Sequence, residues 1–441
     1  MSNKASILLR SEYVFSGGAE KKPSSGYVAV RDNRILAAGS GDGAAHIDAG
    51  TQVIDLGKRL ICPGFIDVHC FFTGHAWVPA GGDPAGASSD EELLAKAKVY
   101  LADRNFIIPA FKDYVKMMNS RGITTVKEMA FDDFSGFAPL AEELEKNGGL
   151  NLRVHFMSQP SNGRFDIPLG RRLRDQYHSA FLSFSGFNRM TDGSISRRCG
   201  DLKKPYADKP GVYCEEKINY AEIEKDTLAV DKEGFRVSLH AQGDGAVAKV
   251  LDIFARCRQQ AGRLLMRHAI TDLELTDPAD LARMGKLGAS AEIYPQIPSL
   301  YKRQEKLESI HTIIGAERGK NYWNRRCMAD NKVVISCGTD LPLLYDDIPE
   351  SIYHSVGGFF ADGGEPFNPG NTLTVDEVLR AWTSGGAWNL GIEKQQGTLS
   401  EGSLADIAVL DSTVFETPME SVRASKVCLT MVNGKVVYST L

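Results

Sequence analysis

The chain has 441 residues, of which 43% are hydrophobic and 24% are charged, and its formal net charge is −5. This length exceeds that of one ordinary core, so it predicts a large barrel-sized domain with a smaller domain beside it. The slight acidity argues against a nucleic-acid partner, and no apolar run reaches the roughly 18 residues that a membrane span needs.

The amino terminus and the cysteines bear on location. Residues 1–10 lack the longer apolar core of a signal peptide. The eight cysteines are scattered and contain no Cys-x-x-Cys pair. In a chain of this length they are typical of reduced, mostly buried thiols, so a cytoplasmic protein is expected.

Both ends of the chain have the pattern of small antiparallel sheets. Short β-branched runs such as Tyr27–Val30 and Gln52–Leu56 alternate with turns in the first part of the chain. The last part repeats this pattern, and Asn433-Gly434 between apolar runs predicts a hairpin turn of the primed type. We therefore expect residues 1–60 and 393–441 to form one composite β-sandwich.

Between the two ends, predicted strands alternate with predicted helices. The strands are Gly64–Cys70, Thr124–Met129, Arg153–Met157, Phe184–Met190, Arg236–His240, Leu265–His268, Ala289–Tyr294 and Val333–Cys337. The clearest helices are Glu91–Leu101, Pro139–Lys146, Ala246–Gln260 and Pro278–Lys286. Eight strands separated by helices predict an α/β fold, a TIM-like (β/α)8 barrel over residues 61–392. The Gly-, Pro- and charge-rich segment Gly193–Pro210 is expected to be a long loop over its mouth.

Residues at the strand ends are the candidate functional groups, because parallel barrels place reacting side chains at the carboxyl ends of their strands. These ends carry His69, Lys127 with Glu128, His155, Asn188, His240, His268 and Asp340. A single histidine at a strand end is structural more often than not. Three of them, His69, His240 and His268, together with Asp340 favour a catalytic or metal site.

One motif suggests a family. Pro63-Gly64-Phe65-Ile66-Asp67-Val68-His69-Cys70-Phe71 leads an apolar strand into a histidine, and a second histidine two residues later would point to the same side. Phe71 stands at that second position and has no lone pair to donate. Further matching segments are Gly122–Val126, Asp192-Gly193-Ser194, Leu239–Val247, Arg267-His268-Ala269, Gly338-Thr339-Asp340 and Gly397–Asp406.

With these segments the chain resembles the amidohydrolase superfamily, in its YtcJ-like (amidohydrolase 3) branch, over nearly its full length. The resemblance implies a TIM-like barrel with a composite β-sandwich and a divalent metal ion that activates water. The ion is expected to be one Zn²⁺ held by His69, His240, His268 and Asp340. A zinc ion lowers the pKa of bound water to about 7. Asp340, His240 and His268 are the expected catalytic residues.

Two departures from the family pattern limit the metal count. Phe71 replaces a histidine, and Asn188 stands where the family has a lysine that helps to hold metal. Both changes affect the groups that would bind a second ion, so at most one ion is expected. A metal-free site that uses Asp340 and the histidines as acid and base remains open, as does a two-metal site. His75 could in principle replace the missing ligand.

The expected substrate contacts are Phe71, Asn188, Asp192 and Lys127. Lys127 could instead form an ion pair outside the barrel, and Asp192 could shape the loop that follows the fourth strand. An aromatic mouth built from Phe71, Phe72, Trp77 and Met190 would favour an apolar substrate. Arg197 and Arg198 could bind a substrate carboxylate, and His155 is either a core residue or a substrate contact.

Three functions fit these residues. The first is metal-assisted hydrolysis of an amide-like C–N bond in a small molecule. The second keeps the barrel but has lyase, decarboxylase, C–C hydrolase or hydratase chemistry. The third is a non-catalytic barrel. The oligomeric state stays open, although a homodimer is common for such barrels.

Overall fold

The computed structural model describes residues 4–77, 99, 102–131, 137–160, 163–345 and 347–441. Within them, most of the strands form two eight-stranded sheets. In chain order the strands are β1 Ile7–Val14, β2 Ser24–Arg31, β3 Arg34–Gly39, β4 Gln52–Asp55, β5 Leu60–Pro63, β6 Phe65–Cys70, β7 Ile123–Phe131, β8 Arg153–Gln159, β9 Leu182–Met190, β10 Val237–Ala241, β11 Gln259–Gln260, β12 Arg263–Leu264, β13 Ala269–Asp272, β14 Ser290–Ile293, β15 Val334–Cys337, β16 Ile407–Leu410, β17 Val427–Val432 and β18 Lys435–Ser439.

The first sheet joins the two ends of the chain, as predicted. Its order is β18-β17-β16-β5-β1-β2-β3, and β4 also pairs with β1. Asn433 and Gly434 connect β17 to β18 with φ values of 54° and 77°, which is the positive-φ pair that a primed hairpin turn requires. One buried apolar cluster draws on both halves of the sheet, so the two ends fold as one unit; it includes Leu9, Val28, Ile61, Val409 and Met431.

The second sheet is the predicted TIM-like barrel. Its parallel strands follow chain order from β6 through β7, β8, β9, β10, β13 and β14 to β15. Next to the ends of β6 and β15, a bridge pairs Cys70 with Leu341. There the Asp340 N–H donates to the His69 carbonyl at 2.8 Å, and the Phe71 N–H donates to the Leu341 carbonyl at 2.8 Å. These bonds bring the first and last strands together and place His69 beside Asp340.

Helices pack around the barrel strands. The described α-helices are Phe72–Trp77, Arg104–Ser120, Phe137–Lys146, Ile167–Gln176, Tyr220–Lys232, Asp244–Phe254, Pro278–Leu287, Arg303–Ile313, Ala316–Gly319, Arg325–Asp330, Ile348–Ser355, Val375–Ala381, Ser384–Leu390 and Met419–Val422. The helix predicted over Glu91–Leu101 falls, apart from residue 99, outside the described residues. In the part of the chain that the structure covers, no helix combines the length and the apolar character that crossing a membrane requires.

The sixth barrel strand lies four residues later than predicted. It runs over Ala269–Asp272 and not over Leu265–His268. The apolar run before it is not barrel interior, because Leu265 is exposed and the preceding residues form the short β11–β12 hairpin. His268 therefore precedes the strand, and Asp272 ends it.

Candidate active site

A cavity opens at the carboxyl ends of the barrel strands and has a volume of about 880 Å³, part of it open to solvent. Four titratable side chains on its wall come from different strand ends, namely His69 from β6, His240 from β10, Asp272 from β13 and Asp340 from the segment after β15. Parallel strands bring these sequence-distant groups to one rim. The loop predicted over the mouth adds Ser194 and Ser196 to the same wall.

His69 and Asp340 form one pair on this wall. The His69 Nε2 atom lies 3.7 Å from the Asp340 Oδ1 atom. The rings of Phe71 and Tyr294 stand edge-on to the imidazole, with centroids 5.5 and 5.4 Å away. Burial lowers the pKa of His69, so the ring is neutral. Burial together with the nearby Asp272 charge raises the pKa of Asp340 to about 8.

A buried charge pair lies beneath His69 inside the barrel. The Lys127 ammonium on β7 pairs with Glu292 on β14, and its Nζ also lies 3.2 Å from both Ser238 Oγ and Asn389 Oδ1. The other Glu292 oxygen faces His69 Nδ1 at 3.5 Å. Burial opposes the charge on Glu292, but Lys127 and His69 lower its pKa to about 2. A carboxylate facing Nδ1 leaves Nε2 of His69 directed at Asp340.

His240 lies between two carboxylates. Its Nε2 is 2.9 Å from Asp272 Oδ2, and its Nδ1 is 3.4 Å from Asp192 Oδ1. The Gln242 amide also donates to Asp272, at 2.9 Å. Burial alone would lower the pKa of His240, but the bonds to both aspartates raise it to about 10. The two carboxylates therefore favour the protonated form of this ring as long as no metal ion is bound to it.

Asp192 fixes the backbone around the His240 ring. Its carboxylate accepts the N–H groups of Asp201, Gln242 and Gly243 at 2.9 to 3.0 Å. Asp192 is not among the residues of the cavity wall. The interpretation of Asp192 as a loop-shaping residue thus describes its contacts better than the expected substrate contact does.

The backbone is unusual at both cavity carboxylates. Asp272 has a φ of 80° and Asp340 a φ of 50°, values that residues other than glycine seldom adopt. Such conformations cluster at functional sites, where the surrounding structure holds them in place. Both aspartates have this feature directly at the rim of the barrel.

Of the other expected substrate contacts, Phe71 and Asn188 lie on the cavity wall and Lys127 does not. The Asn188 amide donates to Gln159 Oε1 at 2.7 Å. Lys127 is fully buried, and its partner Glu292 lies inside the barrel, not on a helix outside it. Both interpretations of Lys127 therefore need correction, because closing the barrel turns this side chain inward.

His268 is separated from the cavity and does not join the predicted ligand set. Its Nδ1 accepts the N–H of Val237, the first residue of β10, at 3.1 Å. Its Nε2 bonds Asp231 at 3.0 Å, and its ring stacks on Phe254. Ligand atoms of Asp231, Cys257 and His268 lie within 4.8 Å of one another. Since both ring nitrogens of His268 already have partners at the amino end of the strands, its role here is structural.

Two further candidates also lie away from the cavity. His75 contacts the hydroxyl of Tyr345 at 3.2 Å and is not on the cavity wall, so it does not replace the missing ligand. His155 is half-buried and bonded to Ser183 Oγ at 2.7 Å, and desolvation lowers its pKa to about 3.

The predicted aromatic mouth and the predicted carboxylate-binding loop are only partly at the cavity. Met190 is on the cavity wall, whereas Phe72 packs against Phe111 in the core. The Arg198 guanidinium pairs with Asp208. Nothing in the described structure directs Arg198 at a substrate.

Several residues of the wall and its support were not anticipated, namely Asp272, Glu274, Glu292, Tyr294 and Lys306. Asp272 had a readable signal, because Ala269-Ile270-Thr271 is a β-branched run that ends in an acid. Glu292 is an acid inside a predicted strand, which indicates a buried polar network. Lys306 comes from a helix after the seventh strand and has no local sequence signal.

Comparisons with known proteins agree with this architecture. The model of the amidohydrolase family matches residues 74–438. The chain belongs to the amidohydrolase family. It is 22% identical over 368 residues to the putative amidohydrolase YtcJ of Bacillus subtilis, a match that covers 81% of this chain. The chain spans 66% of the length of that relative and 44% of the length of another curated relative.

Solved structures show the same fold. An uncharacterized metal-dependent hydrolase from Pyrococcus furiosus superimposes with a TM-score of 0.72 at 19% identity, covering 93% of this chain and 100% of that one. An adenosine deaminase from Xanthomonas campestris with bound zinc gives a TM-score of 0.66 at 15% identity, with coverage of 99% and 93%.

Proposed function

We propose that this amidohydrolase-family chain hydrolyses an amide-like C–N bond in a small molecule with the help of one divalent metal ion, most simply Zn²⁺. The observation that carries the proposal is the convergence of His69, His240, Asp272 and Asp340 on one cavity. Asp272 takes the place that the sequence prediction gave to His268. The zinc in the related deaminase structure supports the choice of ion.

The four side chains have the right ligand atoms for one ion, and the distance between two of them also fits. Imidazole nitrogens and carboxylate oxygens are the usual ligands of such ions. His69 Nε2 and Asp340 Oδ1 are 3.7 Å apart, close to the roughly 3.4 Å between two tetrahedral ligands with bonds of about 2.1 Å. Within the described residues, however, no three donor atoms of the four side chains lie within 4.8 Å of one another. His69 and Asp340 would therefore hold the ion, and His240 and Asp272 lie on the same cavity wall.

When bound, the ion would supply Lewis acidity that polarises a carbonyl and makes water a better nucleophile near neutral pH. The protein's own residues supply orientation and proton transfer. Asp340 is placed on the wall by its backbone bond to His69. In its ionised form, which a bound cation would favour, its carboxylate can take a proton from attacking water and deliver it to the leaving nitrogen. Glu292 holds the His69 ring in one orientation from below.

The rest of the wall indicates a substrate with both apolar and polar parts. Phe71, Met190, Ile297 and Leu300 supply apolar surface, while Asn188 supplies an amide. A cavity of this type binds a small molecule and uses a few polar groups to fix its orientation.

The test combines metal analysis with a substrate panel. Purified protein is assayed for bound zinc, iron and manganese, and then for hydrolysis of N-formyl, N-acetyl and ureido compounds before and after chelation. About one ion per chain and loss of hydrolysis on chelation, restored by zinc, are expected. Full turnover in demonstrably metal-free protein would refute the metal-dependent mechanism.

A further inference from the structure

Lys306 is a buried cation on the wall of the proposed active-site cavity. It belongs to the helix Arg303–Ile313, and its side chain is 6% exposed. Tyr301 and Glu274 line the same cavity. Neither the family resemblance nor the proposed hydrolysis assigns this lysine a task.

Aromatic rings surround the Lys306 ammonium. Its Nζ lies 4.0 Å from the ring centroid of Tyr301, 5.2 Å from that of Tyr322 and 5.3 Å from that of Trp323. Ring faces attract a cation through their quadrupoles. They carry no net charge, however, and they offer no acceptor comparable to a carboxylate.

The charge of Lys306 lacks a close counter-ion among the described residues. Among the residues that the structure describes, no carboxylate oxygen lies within 4.0 Å of its Nζ, and its polar neighbour is the neutral hydroxyl of Tyr301. Two other buried cations do have such a partner, since Lys127 pairs with Glu292 and Arg153 pairs with Asp406. Within the described chain the buried Arg325 has none, but its guanidinium donates to the carbonyls of Tyr294 and Pro295 and to the Ser355 hydroxyl. Glu274 influences Lys306 electrostatically, but its carboxylate is bonded to the Tyr322 hydroxyl. A buried ammonium has three donors and is costly without an anionic partner.

We propose that Lys306 binds a carboxylate of the substrate, so that the preferred substrates are N-acyl compounds carrying a carboxylate beside the scissile amide. The preference among amide substrates rests on the proposed function, whereas binding of the carboxylate by Lys306 does not. The aromatic rings exclude water around the ammonium, which strengthens its attraction to an incoming anion. The carboxylate replaces the missing counter-ion, and Tyr301 contributes ring surface beside it.

A single ammonium within aromatic rings favours a carboxylate over a phosphate. Phosphate sites generally use several donors, such as backbone N–H groups or arginine side chains. Among the described residues of the cavity wall, Lys306 is the only lysine or arginine.

The experiment uses paired amides that differ only in the carboxylate, N-acetylphenylalanine and N-acetylphenethylamine. For the intact enzyme, kcat/KM should favour the acid. In Lys306→Met this preference should fall by about tenfold or more, because a charge-assisted hydrogen bond is lost. Lys306→Arg should keep most of the preference. Lys302→Met, at the exposed start of the same helix, is the matched control and should leave it unchanged.

A binding measurement separates this inference from the proposed hydrolysis. Calorimetry with phenylacetate, phenylethanol and inorganic phosphate needs no turnover, so it decides the question even when neither amide is cleaved. Phenylacetate should bind intact protein and bind Lys306→Met at least about tenfold more weakly. Equal binding of phenylacetate and phenylethanol, unchanged binding in Lys306→Met, or tighter binding of phosphate would each overturn the proposal. If Lys306→Met does not fold, equal affinities of Lys306→Gln and intact protein for phenylacetate would overturn it.

Discussion

His240 and His268 lie near adjacent strands of one barrel, and each contacts an aspartate, yet their surroundings are opposite. His240 is at the carboxyl end of β10 on the cavity wall, between two carboxylates whose bonds outweigh burial and raise its pKa. His268 precedes β13, is fully buried, and has a pKa that burial lowers. The position along a parallel strand thus separates a residue available for chemistry from one that holds the barrel together.

The largest effect is expected at the mouth, from Asp340→Asn. The substitution keeps the shape of the side chain but removes the proton acceptor, so kcat should fall by about 10²- to 10⁴-fold. The free energy of unfolding should change little, because the side chain lies on the cavity wall. Steady-state kinetics and urea denaturation measure the two quantities. Asp244→Asn, at a carboxylate that accepts a backbone N–H outside the cavity, is the control. An unchanged kcat would remove Asp340 from the mechanism.

The next effect is expected at the base, from His268→Ala. It leaves the buried Asp231 carboxylate with one partner fewer and opens space beside Phe254. The free energy of unfolding should fall by about 3 kcal/mol. The kcat of the folded fraction should stay within about twofold of the original, since His268 does not reach the cavity. Loss of kcat at full stability would show that His268 acts in the reaction.

Glu292→Gln tests the network that connects barrel interior and mouth. It leaves the Lys127 ammonium buried without its counter-ion, so the free energy of unfolding should fall by about 2 kcal/mol. It also removes the carboxylate facing His69, so kcat should fall by about tenfold.

The double variant Lys127→Met with Glu292→Gln separates these effects. Removing both charges should restore most of the stability, while kcat should stay low because His69 remains unoriented. Recovery of both quantities together would show that Glu292 affects activity only through stability.

The smallest effect is a pH dependence at His268. Its pKa is lowered in the folded protein, so the unfolded chain binds more protons below the ordinary pKa of 6.5. The contribution to stability is therefore present above pH 6.5 and declines as the pH falls below it, by at most about 1.4 kcal/mol per pH unit. His268→Gln should reduce the slope of unfolding free energy between pH 6.5 and 5.5. An identical slope in both proteins would contradict the neutral, buried state of the ring.

The alternation of strands and helices was sufficient to predict the barrel and the sheet formed by both ends. The same pattern also predicted that His69, His240 and Asp340 lie at one rim of the barrel, because each residue follows or ends a clearly apolar strand. His268 was misplaced because the exposed Leu265 continues an apolar run, so the run resembles a strand. Lys127 and Glu292 could not be paired from sequence, since barrel closure decides which of two neighbouring side chains faces inward. Lys306 reaches the cavity through the packing of a distant helix.

The pair between Lys127 and Glu292 also bears on how the barrel assembles. The two residues are separated by 165 positions and belong to the second and seventh strands. A nascent chain that ends before Glu292 would have to bury the Lys127 ammonium without an anion to neutralise it. An incomplete barrel is therefore stabilised little by packing its strands together. If the chain is cut between these two strands, each fragment alone should stay unfolded, and native structure should form only when the two fragments are mixed.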